Sequence, residues 1–360
     1  MILSSIIESL ETIAPLTSAE SWDNVGLLVG DAAQDISRIL LTIDYTAEVA
    51  EEAKKSDCGL IIAYHPPIFQ PLKRVLSGSL IFDAIRHGVA IYSPHTALDA
   101  AEGGTNDMLA DALGLTDRAP LRLSPGKSTH YKLVFFVPAA QADAVAQAVF
   151  AAGAGWIGDY HSCSFQCEGV GTFYGQPGTH PAVGQSGKLE RVEEIRFETL
   201  IPIGKADVVI AALRASHPYE EPAFDLNVLA AESHGQGRIG TMPPTPRNAV
   251  IERIKRELNL QHLLVAGPTE GSIHKAAACA GSCGDLLDDA IRAGAELYLT
   301  GEMRHHDALK AAAAGMTVVC TLHSNSERAV LARLKKRLEE TAGMPEVIIS
   351  KMDRDPFSVR

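Results

Sequence analysis

LIIAYHPPIF, residues 60–69, carries the pattern that decides the fold of this chain. The run 60–63 is wholly apolar, which is typical of a strand buried on both faces of a parallel sheet. Pro66 and Pro67 end that strand, because proline has no amide hydrogen to donate to a neighbouring strand. His65 is therefore expected at the end of a buried strand, which is where open α/β sheets usually carry their functional sites.

Strand-like and helix-like patterns alternate on both sides of this segment, from residue 37 to 95, and they alternate again from 274 to 352. This βαβ rhythm predicts parallel strands joined by right-handed crossovers. We therefore expect an α/β domain of three layers, in which helices cover both faces of a parallel or mixed sheet.

The middle of the chain has a different order of elements. Between residues 128 and 232 the patterns follow the order βαββαβ, which is the ferredoxin-like order. The glycine-rich stretch ESHGQGRIG, 232–240, suits the exit from such a domain. We predict that residues 1–127 and 233–360 together form the α/β domain, and that residues 128–232 form an inserted ferredoxin-like α+β domain.

The composition argues against several classes of protein. The 360 residues carry a net charge of −12, and no cluster of lysine and arginine forms the basic stripe that a nucleic-acid backbone requires. No apolar run approaches the roughly 20 residues needed to span a bilayer. The first residues contain Glu8 and Glu11 where a signal peptide would be apolar. We expect a cytoplasmic protein, with neither a membrane nor a nucleic acid among its partners.

The six cysteines are scattered along a long chain, which does not indicate a disulfide framework. Three residues separate the two cysteines of each close pair, 163/167 and 279/283, instead of the two that are typical of zinc knuckles. We expect these cysteines to be packing residues.

Three predicted strand ends carry side chains that bind metal ions. His65 follows the first strand. His95 ends the strand-like stretch 89–95, with Asp99 four residues later. His323 ends the strand-like stretch 316–323, with Glu327 four residues later. A histidine and a carboxylate at this spacing, across a strand-to-helix junction, can converge on one point. Imidazole nitrogens and carboxylate oxygens suit Zn, Mn, Fe or Ni.

Each of these residues also has a simpler structural explanation. Ser324 and Glu327 match the capping box S-x-x-E, in which the glutamate binds helix amides. Asp99 also fits an ordinary early-helix acid favoured by the helix dipole. A lone strand-end histidine such as His65 is more often a hydrogen-bonded structural residue than a ligand. His95 is either a ligand or a hydrogen-bond donor near Asp99.

Two further segments add polar groups near predicted strand ends. GEMRHHDAL, 301–309, contributes Glu302, His305 and His306, and we expect one of the two histidines to face the site as a supporting group or an acid/base. GSCGD, 281–285, is a glycine turn that opens a helix. Its free amides suit an anion, although a tight turn of this kind needs no ligand.

With these residues in place, the chain resembles the NIF-three-like family, the GTP cyclohydrolase I type 2 homologues, also described as dinuclear metal-centre hexameric proteins. The resemblance covers essentially the whole chain and rests on SWDNVGLLVG (21–30), YHPPIF (64–69), IYSPHTALDAAEGGTND (91–107), SHPYEEPAFD (216–225), GQGRIG (235–240), YLTGEMRHHDAL (298–309) and LHSNSER (322–328). It implies an α/β domain split by an insertion similar to PII-like signalling proteins. It also implies a toroidal homohexamer with metal sites facing an inner cavity.

The resemblance implies a set of metal ligands for one or two divalent ions, namely His65, Asp99, His323 and Glu327. Family members often have a second histidine immediately before the one at 65, and Tyr64 stands there in this chain, as in the eukaryotic branch. Tyrosine is a poor ligand unless ionised, and its usual pKa is about 10. If two ions bind, Glu327 is the expected bridge.

A site of this kind predicts a metal-dependent hydrolase. A bound ion lowers the pKa of water to about 7, which suits opening of the imidazole ring of GTP with release of formate, as the family name implies, or cleavage of a phosphoester. His306 or His95 would move the proton. The alternative is a non-catalytic toroidal scaffold or regulator with structural ions. A ring that wraps DNA is a third idea, and the net charge argues against it.

Overall fold

The computed structural model describes residues 1–124, 128, 130–229 and 234–358. The chain divides into two compact units, one made of Met1–Pro125 with Ser233–Arg360 and the other of Gly126–Glu232. The first segment contains α1 (Leu3–Ile13), β1 (Gly26–Val29), β2 (Arg38–Thr42), α2 (Ala47–Lys55), β3 (Leu60–Ala63), α3 (Leu80–Arg86), β4 (Ala90–Ser93), α4 (His95–Ala100), α5 (Thr105–Leu113), β5 (Thr116–Ala119) and β6 (Arg122–Ser124).

The remaining elements follow in chain order. The second unit contains β7 (His130–Pro138), α6 (Ala142–Ala151), β8 (Ser164–Tyr174), β9 (Leu189–Pro202), α7 (Ala206–Ser216) and β10 (Phe224–Val228). The first unit is completed by β11 (His234–Gln236), β12 (Arg238–Pro246), α8 (Arg247–Glu257), β13 (Leu264–Ala266), β14 (Ser272–Cys279), α9 (Leu287–Arg292), β15 (Leu297–Thr300), α10 (His305–Ala313), β16 (Thr317–Cys320), α11 (Val330–Glu339) and β17 (Glu346–Ile349). Short 3₁₀ turns occupy Leu16–Ser18, Ala139–Gln141, Ile203–Lys205, Gly284–Leu286 and Ser324–Ser326.

Strands β1 to β4 and the C-terminal strand β17 build a five-stranded sheet of order β1-β4-β3-β2-β17. Strands β2, β3, β4 and β17 are parallel, and β1 is antiparallel to β4. Thr42 pairs in register with Ala63, so β2 and β3 end at the same level. The residues that follow β2, β3 and β4 therefore leave the sheet at a common edge.

Strands β12 to β16, which follow the second unit, and β5 from the first segment build a six-stranded sheet of order β13-β16-β15-β14-β12-β5. Strands β14, β15 and β16 are parallel, and their last residues, Cys279, Thr300 and Cys320, lie side by side. The turns that follow these three strands also leave from one edge. Strands β6 and β11 pair separately as a two-stranded ribbon.

One hydrophobic core joins the inner faces of both sheets. Apolar residues from both sheets pack there against helices α1, α4, α5, α8 and α11. The outer face of the five-stranded sheet is covered by α2 and α3, and that of the six-stranded sheet by α9 and α10. The protein is thus a mixed α/β fold with several sheets. The predicted three layers must be corrected to five, because the strands form two separate sheets that share the central helices.

The second unit contains the order βαββαβ. Its sheet has the strand order β10-β7-β9-β8, and all neighbouring strands are antiparallel. Apolar residues of α6 and α7 pack on one face of this sheet, where the rings of Phe135 and Phe197 stack 4.7 Å apart. Most of β8 is exposed.

Of the four cysteines predicted to be packing residues, Cys279 is buried in the core and Cys283 packs against it, as predicted. Cys279 and Cys283 are joined in a disulfide, because the turn after β14 brings their Cα atoms to 6.0 Å. Cys163 is half-buried and Cys167 is exposed. In the described ranges, no helix is both long and apolar enough to cross a membrane.

A buried arginine ties β12 to the loop between α4 and α5. Arg238 is 6% exposed, and its Nε donates to Asp107 Oδ1 at 2.6 Å. Its terminal nitrogens donate to the carbonyl oxygens of Ala100 and Ala101, each at 3.2 Å. The GQGRIG segment therefore stabilises the loop that follows Asp99.

Replacing Arg238 with methionine is expected to lower the free energy of unfolding by about 3 kcal/mol, because it leaves Asp107 and several carbonyl groups buried without their donor. The midpoint of urea unfolding measures the loss. The control is Arg256→Met, which removes an exposed pair with Glu257 and should leave the midpoint nearly unchanged. Equal midpoints for the two variants would contradict the prediction.

Candidate metal centre

Three side chains from the two sheets meet at one point. His65 follows β3 of the five-stranded sheet, whereas His323 and Glu327 follow β16 of the six-stranded sheet. One ligand atom from each lies within 4.8 Å of the others. His65 Nε2 is 3.2 Å from Glu327 Oε2, and His323 Nε2 is 3.4 Å from Glu327 Oε1.

Each of the two histidines is oriented by a second carboxylate. His65 Nδ1 lies 2.9 Å from Asp44 Oδ1, and His323 Nδ1 lies 2.8 Å from Glu302 Oε1. The hydrogen bond from His65 lowers the pKa of Asp44, so this carboxylate is ionised and can only accept. A neutral His65 therefore carries its hydrogen on Nδ1 and turns the lone pair of Nε2 towards Glu327. This carboxylate–histidine pairing is typical of metal ligands.

The carboxylate of Glu327 passes a test of fit for a cation. Glu327 is only 2% exposed, and within the described ranges its buried Oε2 has no hydrogen-bond partner. Two lone pairs, one on this oxygen and one on His65 Nε2, thus face each other across 3.2 Å. Such a contact is favourable only if positive charge lies between the atoms. A divalent cation with nitrogen and oxygen ligands satisfies this requirement.

The raised pKa of His65 also indicates that the space between His65 and Glu327 favours a positive charge. Burial of the ring would lower its pKa, but the carboxylates of Asp44 and Glu327 outweigh burial and raise the pKa of His65 to about 10. In the protein without metal, a proton would occupy the space that the cation requires.

Tyr64, next to the first ligand, is a neutral phenol. It is 1% exposed, and its hydroxyl donates to Asp99 Oδ1. Burial and the carboxylates of Asp99 and Glu327 raise the pKa of Tyr64 well above its usual value. Burial also raises the pKa of Asp99, although the Tyr64 hydroxyl stabilises its charged form. Asp99 therefore borders the same pocket, hydrogen-bonded to Tyr64 and outside the close group of His65, His323 and Glu327.

His95 lies beside the cluster with its own carboxylate partner. Its Nδ1 is 2.8 Å from Asp23 Oδ1, and its ring centroid is 5.4 Å from that of His65. Burial opposes the charged form of Asp23, but hydrogen bonds from His95 and Thr96 prevail and lower its pKa. The backbone φ of His95 is 27°, a value that residues other than glycine rarely adopt. Such strain is typical of functional positions.

In the predicted segment 301–309, Glu302 contacts His323 and the two histidines are exposed. His306 is exposed at the start of α10, and among the described ring contacts it packs against His305 at 5.4 Å. The capping-box explanation of Glu327 does not hold, because the Ser324 hydroxyl donates to Asp355 and the Glu327 carboxylate faces the two histidines.

Two functional carboxylates were absent from the sequence prediction. Asp44 follows β2 at the same sheet edge as His65, so the strand-end reasoning applied to the histidines would also have found it. Asp23 lies in SWDNVGLLVG, which supported the family resemblance without a role for any residue. No local pattern links Asp23 to His95, because the contact joins segments far apart in the chain.

Gly281 lets the main chain approach the cluster closely. A Cβ atom at this position would lie 3.0 Å from Glu327 Oε1 and 3.5 Å from His323 Nε2. The Gly281 amide donates to the Ser326 hydroxyl at 2.8 Å, which fixes the turn after β14 against the segment that carries Glu327.

Replacing Gly281 with alanine is expected to weaken Zn²⁺ binding about tenfold, because the new methyl group displaces Glu327 or His323. Gly294→Ala is a matched control: its φ of 76° resembles the 71° of Gly281, and nothing lies within 4 Å of a Cβ there. Both variants carry the same backbone strain, and only the first should lose affinity by titration calorimetry. Equal Zn²⁺ affinities would refute the packing argument.

Known proteins resemble this chain over its whole length. A family described as Duf34/NIF3 (NGG1p interacting factor 3) matches residues 1–356. A GTP cyclohydrolase 1 type 2 homolog from Halalkalibacterium halodurans is 37% identical over 364 residues, covering 98% of each chain. The protein of that name from Bacillus subtilis is 34% identical, covering 98% of this chain and 97% of the relative.

The fold is also that of a solved relative. The crystal structure of a Bacillus cereus protein related to NIF3 is 34% identical to this chain, with a TM-score of 0.72, and 99% of each chain is covered. The match of residues 1–356 and these full-length relatives show that the chain belongs to the Duf34/NIF3 family.

Proposed function

We propose that this protein is a metal-dependent hydrolase. In this proposal the side chains of His65, His323 and Glu327, with Asp99 at the border of the pocket, hold one or two divalent cations, and Zn, Mn, Fe or Ni all suit these donors. The observation that carries the proposal is the buried Glu327 carboxylate, whose oxygens lie 3.2 Å from His65 Nε2 and 3.4 Å from His323 Nε2.

A divalent cation supplies Lewis acidity that lowers the pKa of water to about 7 and polarises a substrate oxygen. The residues of the chain prepare the pocket for this chemistry. Asp44 and Glu302 hold the ligand histidines in one tautomer. Asp23 holds Nδ1 of His95, which leaves Nε2 free to accept or deliver a proton beside His65. Tyr64 remains a neutral donor to Asp99.

The name of the curated relatives suggests the substrate. We propose a nucleotide, with opening of the purine imidazole ring of GTP and release of formate as the first candidate reaction. Hydrolysis of a phosphoester is the second, because the same cation and proton carrier serve both reactions.

Turnover tests the proposal directly. The purified protein is loaded with Zn²⁺, Mn²⁺ or Fe²⁺ in turn and given GTP, and formate is measured; phosphate release is measured with a panel of nucleotide phosphoesters. Release of either product that disappears on chelation supports a hydrolase. Metal-loaded protein that releases neither product with any of the three ions would reject it.

We also propose that residues 128–232 are an inserted, PII-like domain of ferredoxin-like topology within the α/β domain of 1–127 and 233–360, and that the chain forms a toroidal homohexamer in the cytoplasm. The strand order β10-β7-β9-β8 supports the topology. Exposed apolar side chains of that unit, such as Phe165 and Leu189, support self-association. Sedimentation velocity tests the assembly, and a monomer would refute it.

A second candidate function is a non-catalytic, metal-binding scaffold or regulator. The second unit favours it, because it has a cleft of about 980 Å³ lined by residues that include Phe136, Arg196 and Tyr219. A cleft of this size suits a small regulatory ligand. This candidate predicts that the cation stabilises the fold or the assembly without turnover of any nucleotide.

A further inference from the structure

A continuous series of aromatic rings leads from the metal centre to the surface. The ring centroid of His65 lies 5.3 Å from that of His323 and 5.4 Å from that of His95. The His95 ring lies 6.1 Å from Trp22, and Trp22 lies 6.0 Å from Phe69. Trp22 and Phe69, here called the aromatic lip, therefore stand two and three ring contacts, respectively, from His65.

The aromatic lip is exposed. Trp22 is 58% exposed and Phe69 is 47% exposed, whereas side chains of this size are usually well buried. Their ring planes are inclined by 57°, so the two rings do not cover each other. Each keeps a free face on which a flat apolar group can stack.

The lip is held in place by groups that also order the metal centre. Asp23, next to Trp22, accepts from the backbone amide of Thr96 at 3.2 Å as well as contacting His95. The Asn24 side chain donates to the carbonyl oxygen of Ile68, next to Phe69. Both aromatic residues are thus adjacent to anchored positions, and this pre-organisation reduces the entropic cost of binding.

We infer that Trp22 and Phe69 form a stacking subsite for the planar ring of a heteroaromatic ligand, a nucleobase, beside the cation position. The inference rests on the proposed function and narrows its substrate class to compounds that carry such a ring. Stacking on tryptophan tolerates different bases, because every base has a π face. A sugar phosphate without a base would reach the cation but would make no contact with the lip.

The sequence provides a direct reporter. Its two tryptophans are Trp22 and Trp156, so the variant Trp156→Phe leaves Trp22 as the sole tryptophan emitter. This full-length variant, loaded with Zn²⁺, is titrated with guanosine 5′-monophosphate and with ribose 5-phosphate. We expect saturable quenching of the Trp22 emission by guanosine 5′-monophosphate and none by ribose 5-phosphate.

Calorimetry on otherwise native protein completes the test. Trp22→Ala and Phe69→Ala should each weaken binding of guanosine 5′-monophosphate about tenfold, whereas Trp22→Phe, which keeps a ring, should remain within about threefold of the parent. The Zn²⁺ affinity of all three variants should equal that of the parent, because none of these rings is a metal ligand.

Several results would overturn the inference. These are equal quenching by the two ligands, no binding of guanosine 5′-monophosphate to the parent, or unchanged affinity in Trp22→Ala. A change of native mass in Trp22→Ala with unchanged nucleotide affinity would assign the lip to a subunit contact instead. Nucleotide binding that depends on the lip but comes without turnover would support the subsite and reject the hydrolase. The test therefore distinguishes failure of the subsite from failure of the proposed function.

Discussion

Replacing Glu327 with glutamine is expected to weaken Zn²⁺ binding by more than about 100-fold and to lower the thermal stability of the protein without metal. The carboxylate supplies the buried negative charge that faces both histidines. A glutamine amide removes that charge, and its NH₂ group can donate to the lone pair of His65 Nε2. In the protein without metal, the protonated His65 loses its ion pair with the buried Glu327 carboxylate, so the fold also becomes less stable.

Titration calorimetry with Zn²⁺ and thermal unfolding in chelator measure the two effects. Glu302→Gln is the graded control, because Glu302 orients His323 without being part of the close ligand group. Loss of such a supporting carboxylate typically costs 10- to 100-fold in affinity. If Glu327→Gln bound Zn²⁺ as tightly as Glu302→Gln, the assignment of Glu327 as a direct metal ligand would be refuted.

Replacing His95 with glutamine is expected to lower turnover by about 10²- to 10⁴-fold, the usual contribution of a positioned acid/base, with the Zn²⁺ affinity within about threefold of the parent. The His95 ring lies 5.4 Å from that of His65, and Asp23 fixes its orientation. A proton carrier should affect the rate much more than it affects metal binding.

The assay is release of formate from GTP or of phosphate from a nucleotide, at saturating substrate and metal. His306→Gln is measured in parallel, since the sequence pattern assigns the same role to His306, and His87→Gln, at the exposed residue that follows α3, serves as a control. If His306→Gln lost most of its turnover while His95→Gln stayed active, His306 and not His95 would be the proton carrier.

Sequence reasoning was strongest where a pattern is local. The apolar run before His65 and the prolines after it predicted a strand end, and the alternation of elements predicted a mixed α/β class, which the structure and the family confirm. The division into two sheets was missed. The two stretches of alternating elements have the same rhythm, and the local pattern reveals neither that they build two sheets nor that β17 and β5 each join the sheet built mainly from the other stretch.

In the site, too, contacts between residues close in sequence were predictable, and contacts between distant segments were not. The i, i+4 spacing of His323 and Glu327 is local, and the two side chains do meet. The place of His65 beside them depends on the packing of two sheets, and the anchoring of His95 by Asp23 depends on a contact across the fold. Whether Asp99 is a ligand also depends on distant packing, because its partner Tyr64 comes from another strand.

The assembly of the metal centre from two sheets has a consequence for biosynthesis. His65 and Asp44 leave the ribosome early, whereas His323 and Glu327 belong to the last part of the chain to be made, after the whole second unit. A nascent chain that ends before β16 carries His65 and Asp44 but lacks His323 and Glu327. Capture of a cation by the proposed site would therefore require synthesis of the segment that carries His323 and Glu327.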